Sequence, residues 1–358
     1  MIERFEPGGE GAERAAWYLA RELGTRRVDL TVVCRTRAGT VPRGVDVIRV
    51  ASWGAWLPGR TGRFSRAAQR VTRDLFDVVH AFSRTRYQNV YRSGGGCHAD
   101  YLEQVCARPR LRRWLSPRHR GIVKLERRVF RDPVQIIHCD SQRAAQAIAD
   151  RYDVPPGRLW VIYNGVDTER FHPRHREGIR ASLRASLGLA GPTALFVGSD
   201  WERKGLDRAI EALAHGPAGT ELVVAGRGNE RPYRAVAEGL GVGQRIHWLG
   251  RREDVAELYG VADLFVLPTR YDPFSDACLE AMASGLPVVT SGANGAAELI
   301  GQGENGLVFD ESFETAFHLL SEPRRLARMG AAARRTAEEH SWARHADEVM
   351  ALYTRARI

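Results

Sequence analysis

The chain has 358 residues, 44% of them hydrophobic and 27% charged, with a formal net charge of +10. That is enough apolar material for sizeable cores, and at roughly 100–200 residues per domain it implies two domains, which excludes a disordered or fibrous chain. The five cysteines are odd in number, scattered and without a CxxC pair, so neither a disulfide framework nor a structural zinc site is indicated, and no run reaches the ~20 apolar residues that span a bilayer.

The charge is unevenly placed: residues 1–170 hold 31 Lys and Arg against 18 Asp and Glu, whereas residues 171–358 hold 22 against 25. An excess confined to the first half points to an anionic partner for that half. Only two of the 53 cations are lysines, Lys124 and Lys204. A compact ammonium among planar guanidinium groups marks either a position that needs a point charge or a survivor of codon bias.

Residues 1–5 predict the tail of a strand, Gly8 and Gly9 a turn, and residues 12–23 a helix, because Ala15, Ala16, Leu19, Ala20 and Leu23 recur at helical spacing. Strand, glycine turn and helix begin a doubly wound α/β domain, and so little chain precedes the turn that the first strand reads as truncated. Strands are predicted at 29–33, 46–50 and 78–80, with an Arg-rich helix at 63–75. Gly94, Gly95 and Gly96 then leave backbone free to pass close to a ligand, with His98 and Asp100 as titratable groups at the exit. His98 could relay a proton or bond a phosphate or hydroxyl, or serve only the fold.

Residues 108–131 interleave ten cations with apolar residues at every third or fourth position, and Pro117 is expected to split the stretch into two helical pieces. With Trp114, Arg120 and Lys124 the pattern describes an interfacial membrane helix; the alternative is a core-packing helix with a solvated arginine face. No nucleic-acid module accompanies the charge, which sets nucleic acid aside. A strand at 135–139 and a helix at 142–152 complete the domain, a further strand ends at Asn164-Gly165, and the charged stretch 171–178 reads as a linker.

The second domain opens with a strand at 193–198, followed by Arg203 and Lys204 beside a helix at 206–214; cations at the carboxyl end of a strand can grip a diphosphate. Alternation continues at 221–226, 232–240, 246–249, 255–261 and 264–267. The last of these strands runs through Pro268 to Asp272, Phe274 and Ser275, and a helix from about Asp276 carries Glu280 and stops at Gly285 before a strand at 288–290. Its N–H groups would face phosphate while the two acids accept hydrogen bonds from sugar hydroxyls; the alternative is a solvated loop acid and a surface helix acid. One long helical stretch is predicted from 331 to 355. Two consecutive doubly wound units predict a cleft between them, with ligand loops at the carboxyl ends of both sheets.

Segments at 5–14 (FEPGGEGAER), 161–171 (VIYNGVDTERF), 196–206 (FVGSDWERKGL), 223–226 with Gly250, 262–289 (ADLFVLPTRYDPFSDACLEAMASGLPVV) and 303–308 (GENGLV) follow the order found in glycosyltransferase family 4. Taken together they make the chain resemble that family's retaining GT-B enzymes over nearly its whole length. The runs SDWERKGLDRAIEAL and NGAAELI and the basic segment 116–130 look most like the lipopolysaccharide core glucosyltransferases. The resemblance implies an α/β chain of two Rossmann-like domains: 1–170 binding acceptor, 171–340 binding nucleotide sugar, and 341–358 a helix packing back on the first. It implies an enzyme that moves a hexose, glucose from UDP-glucose, to a lipid-linked glycan at an anionic membrane surface. Its place would be peripheral, on the inner face of the cytoplasmic membrane, and it would need no metal or other cofactor.

The same resemblance carries roles onto single positions. Glu280 falls on the acid that holds the donor ribose, and Asp272 on the acid, normally Glu, that contacts the donor sugar or the forming oxocarbenium ion. Lys204 falls on the diphosphate lysine, and Arg203 stands in for the arginine whose usual place is taken by Ser199. Phe274, Ser275 and Asp276 supply the helix start, Gly8 and Gly9 the glycine turn facing diphosphate and acceptor, and His98 the histidine lining the acceptor side. Catalysis is thus expected from Asp272, His98 and Lys204. Other readings are a GDP- or ADP-sugar transferase acting on a phospholipid or polysaccharide, a UDP-sugar epimerase, and a non-catalytic sugar-nucleotide or membrane-binding protein.

Overall fold

Every strand pairing among the described residues is parallel. The computed structural model describes residues 1–51, 60–105 and 116–357 and divides into two units, Met1–Gly165 with Trp342–Ile358, and Val166–Ser341.

The first unit contains β1 (Ile2–Phe5), α1 (Gly11–Gly24), β2 (Thr31–Arg37), β3 (Asp46–Arg49), α2 (Arg60–Thr72), β4 (His80–Ala81), β5 (Val90–Arg92), α3 (His98–Gln104), α4 (Pro117–Arg131), β6 (Ile136–Cys139), α5 (Gln142–Tyr152) and β7 (Leu159–Val161). Strands pair in the orders β1-β2-β3 and β4-β5-β6-β7. The two runs join where Phe82 N–H donates to Met1 O at 2.8 Å and Glu3 N–H to Ser83 Oγ at 2.8 Å. The strand order is therefore 3-2-1-4-5-6-7, with its reversal between β1 and β4. The apolar positions of α1 are the buried ones: Ala16 and Ala20 pack with Ile2, Phe5, Val32 and Cys34, while Leu19 and Leu23 pack with Val90 and Ile162.

The second unit contains α6 (Arg174–Gly178), α7 (Arg180–Leu187), β8 (Thr193–Val197), α8 (Trp201–Lys204), α9 (Leu206–His215), β9 (Glu221–Ala225), α10 (Glu230–Gly239), β10 (Ile246–Gly250), α11 (Val255–Val261), β11 (Leu264–Leu267), α12 (Asp276–Ala283), β12 (Val288–Ser291), β13 (Gly306–Phe309) and α13 (Pro323–Glu338). Its sheet runs β10-β9-β8-β11-β12-β13, two halves that reverse between β8 and β11. β8, β11 and β12 are buried on both faces, which is why they read as unbroken apolar runs.

Two expectations need correction. The stretch 171–178 is not a linker: it holds α6, and α7 follows directly. Arg176 and Arg180 meet Asp263 at 2.7 and 2.8 Å, and Arg176, Arg180 and Arg184 donate to the carbonyls of Ala262, Gly260 and Val261 at the end of α11. Cations there oppose the negative end of the helix dipole, so the charge that suggested solvent is holding two elements together. The helix predicted over 331–355 is interrupted: α13 ends at Glu338, and α14 (Trp342–Ala356) begins after Ser341, which bridges Val166. α14 belongs to the first unit, where Ala346, Val349 and Leu352 pack with Leu19 and Leu23. Pro117 is the first residue of α4, where its missing N–H costs nothing, and the part of the basic stretch over 106–115 lies outside the described residues.

Candidate active site

In an open parallel sheet, ligand loops gather at the carboxyl ends of the strands where the order reverses. In the second unit that place lies beyond β8 and β11, and the chain puts its most constrained polar cluster there. After β8 the backbone turns through Gly198 and Asp200 into the single helical turn α8, and Gly205 ends it at φ +73° with its missing Cβ only 2.1 Å from Pro268 O. Any side chain at 205 would push the loop after β11 away. The two loops are tied together: Thr269 Oγ1 and Arg270 N–H both donate to Arg203 O at 2.8 Å, and Arg270 forks onto Asp207 at 2.8 and 2.5 Å.

This contact brings Lys204 and Asp272 together across 68 residues of sequence. Lys204 Nζ donates to Asp272 Oδ2 and stands 3.5 Å from Ser275 Oγ, while Arg203 Nη1 lies 3.4 Å from the same carboxylate oxygen and donates to Tyr271 O at 3.0 Å. Burial pushes the Asp272 carboxyl up, but Lys204 and Arg203 together pull it further down, leaving it below the ordinary aspartate range. Asp272 is therefore an anion that holds two cations at the mouth of the strands.

Asn294, which the sequence did not single out, frames this cluster. Its Oδ1 accepts from Ser275 N–H at 3.2 Å and Ala296 N–H at 3.1 Å, and its Nδ2 donates to Thr290 Oγ1 at 2.9 Å and Cys278 Sγ at 3.2 Å. Asp272 N–H donates to Ala293 O and Gly295 N–H to Asp272 O, at 3.1 and 2.8 Å. Ser275 is the N-cap of α12, and Phe274 and Asp276 flank it. One turn further along, Glu280 is buried, its Oε2 3.0 Å from the Tyr259 hydroxyl of α11. Tyr259 too was missed; an isolated tyrosine in an apolar helix gives no sign of the acid it will meet. Burial pushes the Cys278 thiol up to about 12, so it serves the frame as a neutral group.

The first unit presents a different arrangement. Gly8 and Gly9 form the turn between β1 and α1. Beyond β5, the missing Cβ of Gly94 lies 2.3 Å from the Arg92 guanidinium, which cannot retreat because it is buried against Asp140 at 2.6 Å and Asn164 at 2.9 Å. His98 opens α3 and is itself buried; its Nε2 lies 3.0 Å from His119 Nδ1, and its ring stacks on those of His119 and Tyr101. Burial first, then the charges of Arg84, His119 and Arg118, lower its pKa to about 4, so the imidazole is neutral near pH 7. Asp100 does not stand at a loop exit: it lies within α3 and is ion-paired to Arg151 of α5, which also grips Glu103. Glu126, also missed, accepts from His98 N–H at 2.8 Å; its signal was an acid sharing a helix face with Val123, Val129 and Phe130.

On α4, Arg118, Arg120, Lys124, Arg127, Arg128 and Arg131 are exposed, opposite the face that packs into the core. Trp114 and the cations before it lie outside the described residues. Among the described residues no helix is long and apolar enough to cross a membrane, and no group of three His, Cys, Asp or Glu side chains is placed to hold a metal.

Residues 9–170 match the family described as Glycosyltransferase Family 4, and residues 191–320 match Glycosyl transferases group 1. The lipopolysaccharide glucosyltransferase WaaG of Escherichia coli K12 is 28% identical over 87% of this chain and 84% of its own length. The MMP alpha-(1->4)-mannosyltransferase of Mycolicibacterium hassiacum is 31% identical over 89% of this chain and 81% of its own. A crystal structure of WaaG superposes with a TM-score of 0.82 at 25% identity, covering 99% of this chain and all of that one.

Proposed function

Since this chain belongs to glycosyltransferase family 4 and has the GT-B fold, we propose that it transfers a hexose, glucose from UDP-glucose first among the candidates, to a lipid-linked glycan such as the lipopolysaccharide core. One observation carries the reading: an ionised Asp272 holds Lys204 and Arg203 beside the start of α12, where the sheet order reverses. The donor diphosphate takes its place against these cations and the N–H groups around Phe274, Ser275 and Asp276. Because bonds within the protein hold the cluster in place, it stabilises charge on the leaving diphosphate without having to reorganise. Glu280 accepts from the donor ribose, and Asp272 faces the sugar as positive charge grows at its anomeric carbon.

The acceptor hydroxyl belongs to the first unit, beside the glycine loop and the neutral His98, whose imidazole can accept a hydrogen bond or a proton. Gly8 and Gly9 keep the opposite loop free of side chains. Attack on the face from which the diphosphate leaves retains the anomeric configuration. The exposed cations of α4 dock the enzyme on the anionic inner face of the cytoplasmic membrane, where lipid-linked acceptors lie. No metal is required in this scheme, since fixed cations and amides balance the diphosphate; turnover undiminished by a chelator is expected, and its loss would overturn that part. A mannosyl donor is the second reading, favoured by the mannosyltransferase relative.

The test is nucleotide release from UDP-, GDP- and ADP-sugars, with and without a membrane lipid extract. Release from UDP-glucose that rises sharply with extract is the expected result. Release from GDP-mannose alone would replace the first donor by the second, and no release from a folded protein would overturn the transferase reading.

A further inference from the structure

Glu126 is a buried acidic side chain that the transfer scheme leaves unused. It is 5% exposed, in a core built from Val129, Phe130, Ile137 and Ile148, and among the described residues no cation is bonded to it. A carboxylate in such a place is unfavourable unless something repays its desolvation, and an apolar residue of similar size would pack there without that cost. What it holds explains its presence. Oε1 accepts from His98 N–H at 2.8 Å, and Oε2 accepts from the Tyr152 hydroxyl at 2.8 Å. His98 follows three glycines and the buried Cys97, and the glycines bring no side chains of their own to fix the path of the backbone into α3. His119, seven residues earlier on the same helix and so on the same face, meets the His98 ring at Nε2.

We infer that Glu126 is a positioning residue for the acceptor side: it fixes the backbone of His98, His119 steadies the ring, and α4 thereby sets where the imidazole stands. The inference rests on the reading that His98 lines the acceptor site. It separates two properties that a plain core residue would move together, the stability of the unit and the acceptor-dependent half of the reaction.

The experiment compares nucleotide release driven by membrane lipid extract with the slow acceptor-free release from the same donor, alongside thermal melts. Glu126→Leu is expected to lower acceptor-dependent turnover by roughly tenfold or more, while acceptor-free release and donor KM stay within about twofold. Glu126→Gln keeps an oxygen for His98 N–H and is expected to recover most of the loss. Acceptor-dependent turnover that is unchanged in Glu126→Leu overturns the inference, as does a parallel fall in melting temperature and both reactions. If Glu126→Leu does not melt cooperatively, Glu126→Asp decides: retracting the oxygens by one methylene is expected to cost acceptor turnover at an unchanged melting temperature, and unchanged turnover refutes the role. His98→Ala separates the two levels. If it leaves acceptor turnover intact, the reading of His98 itself falls; if it abolishes turnover while the Glu126 variants do not, only the positioning role falls.

Discussion

In the unit Val166–Ser341 the loops after β8 and β11 hold one carboxylate between two cations, whereas in Met1–Gly165 the loop after β5 ends in a histidine that burial keeps neutral. Both sheets are parallel, and both reverse strand order after their first strand, so topology alone does not separate them. The difference lies in where charge is kept. The second unit gathers two cations around one acid at the loop mouth and frames them with Asn294; the first closes its buried Arg92 onto Asp140, leaves neutral histidines beside it and turns the cations of α4 outward. Inward charge serves a ligand that itself carries concentrated charge, and outward charge serves a surface.

The sharpest break of this contrast is Lys204→Ala. If the inward cluster stabilises a leaving diphosphate, turnover is expected to fall by about a thousandfold with a normal melt, the scale of losing one preorganised electrostatic contact in an enclosed site. Near-normal turnover would make Lys204 a structural partner of Asp272 and remove the distinction between the units. Asp272→Asn is the companion measurement. It leaves Lys204 and Arg203 without their shared anion, so weaker donor binding is expected together with a smaller loss of turnover.

Acid separates the units by stability rather than by catalysis. His138 Nε2 lies 3.3 Å from Ile162 O, a carbonyl that can only accept, so His138 Nδ1 must accept from His80 Nε2 at 3.4 Å, and His80 Nδ1 from the Tyr353 hydroxyl at 2.9 Å. The chain is complete with both rings neutral; a proton added at His138 Nδ1 would face the His80 Nε2–H, and one added at His80 Nδ1 would force the Tyr353 hydroxyl from donor to acceptor. Burial, the Met1 amino group, Arg92 and His345 all hold His80 well below its ordinary pKa; burial, His80, His345 and Arg92 do the same for His138 against a weak pull from Ile162 O. Their folded pKa values lie below the unfolded value near ~6.5. Stability is therefore full above that pH and falls as the pH drops through and below it, by up to about 2 kcal/mol for each ring at pH 5. In the second unit burial lowers the partly exposed His172, while the support from ionised Asp272 fades only below about pH 4. Urea unfolding at pH 7.5 and 5.0, followed by amide exchange of each unit, should show the first unit weakening and the second holding; equal weakening would refute the contrast.

A smaller effect probes the frame. Asn294→Ala leaves the N–H groups of Ser275 and Ala296 without their acceptor inside a buried loop, and about 2–3 kcal/mol of destabilisation is expected from the urea midpoint. If the site depends on the frame, donor KM should rise as well. A loss of stability with an unchanged KM would make Asn294 a packing residue only.

These residues also mark the limit of what the sequence discloses. β11, the turn at Pro268, α12 and the stop at Gly285 were legible because each depends on neighbours within a few positions. So were α5 and α11, whose helical spacing and flanking residues are local. That Lys204 would bond Asp272 depends on strand order, which brings distant loops together, and no spacing rule expresses it. Asn294 was not singled out, because the groups its bonds run to, on Ser275, Cys278 and Thr290 above all, meet it only in the fold. The stretch 171–178 misled for the opposite reason: Arg176 looked solvated by composition, while the carbonyls and the Asp263 it binds lie 80 or more residues away. Glu126 sat in the most cationic part of the chain, where an acid reads as a surface partner for arginine rather than as a buried anchor for His98.

The mildest test concerns the outward charge, which should act additively where the inward cluster acts all at once. Arg120, Lys124 and Arg127 are exposed on α4, away from the face that holds Glu126, Val129 and Phe130. Each cation near an anionic bilayer contributes about 1 kcal/mol, so replacing the three singly by Ala should weaken flotation with anionic vesicles by roughly fivefold each. The triple variant should lose approximately the product of those factors. Raising the salt should shrink every step, because charges separated from the surface by more than about 8–10 Å are screened. Neutral vesicles should not distinguish the variants. A single replacement that abolished binding, or losses insensitive to salt, would mean that α4 recognises a specific headgroup through a built site, and the first unit would then hold charge in the manner of the second.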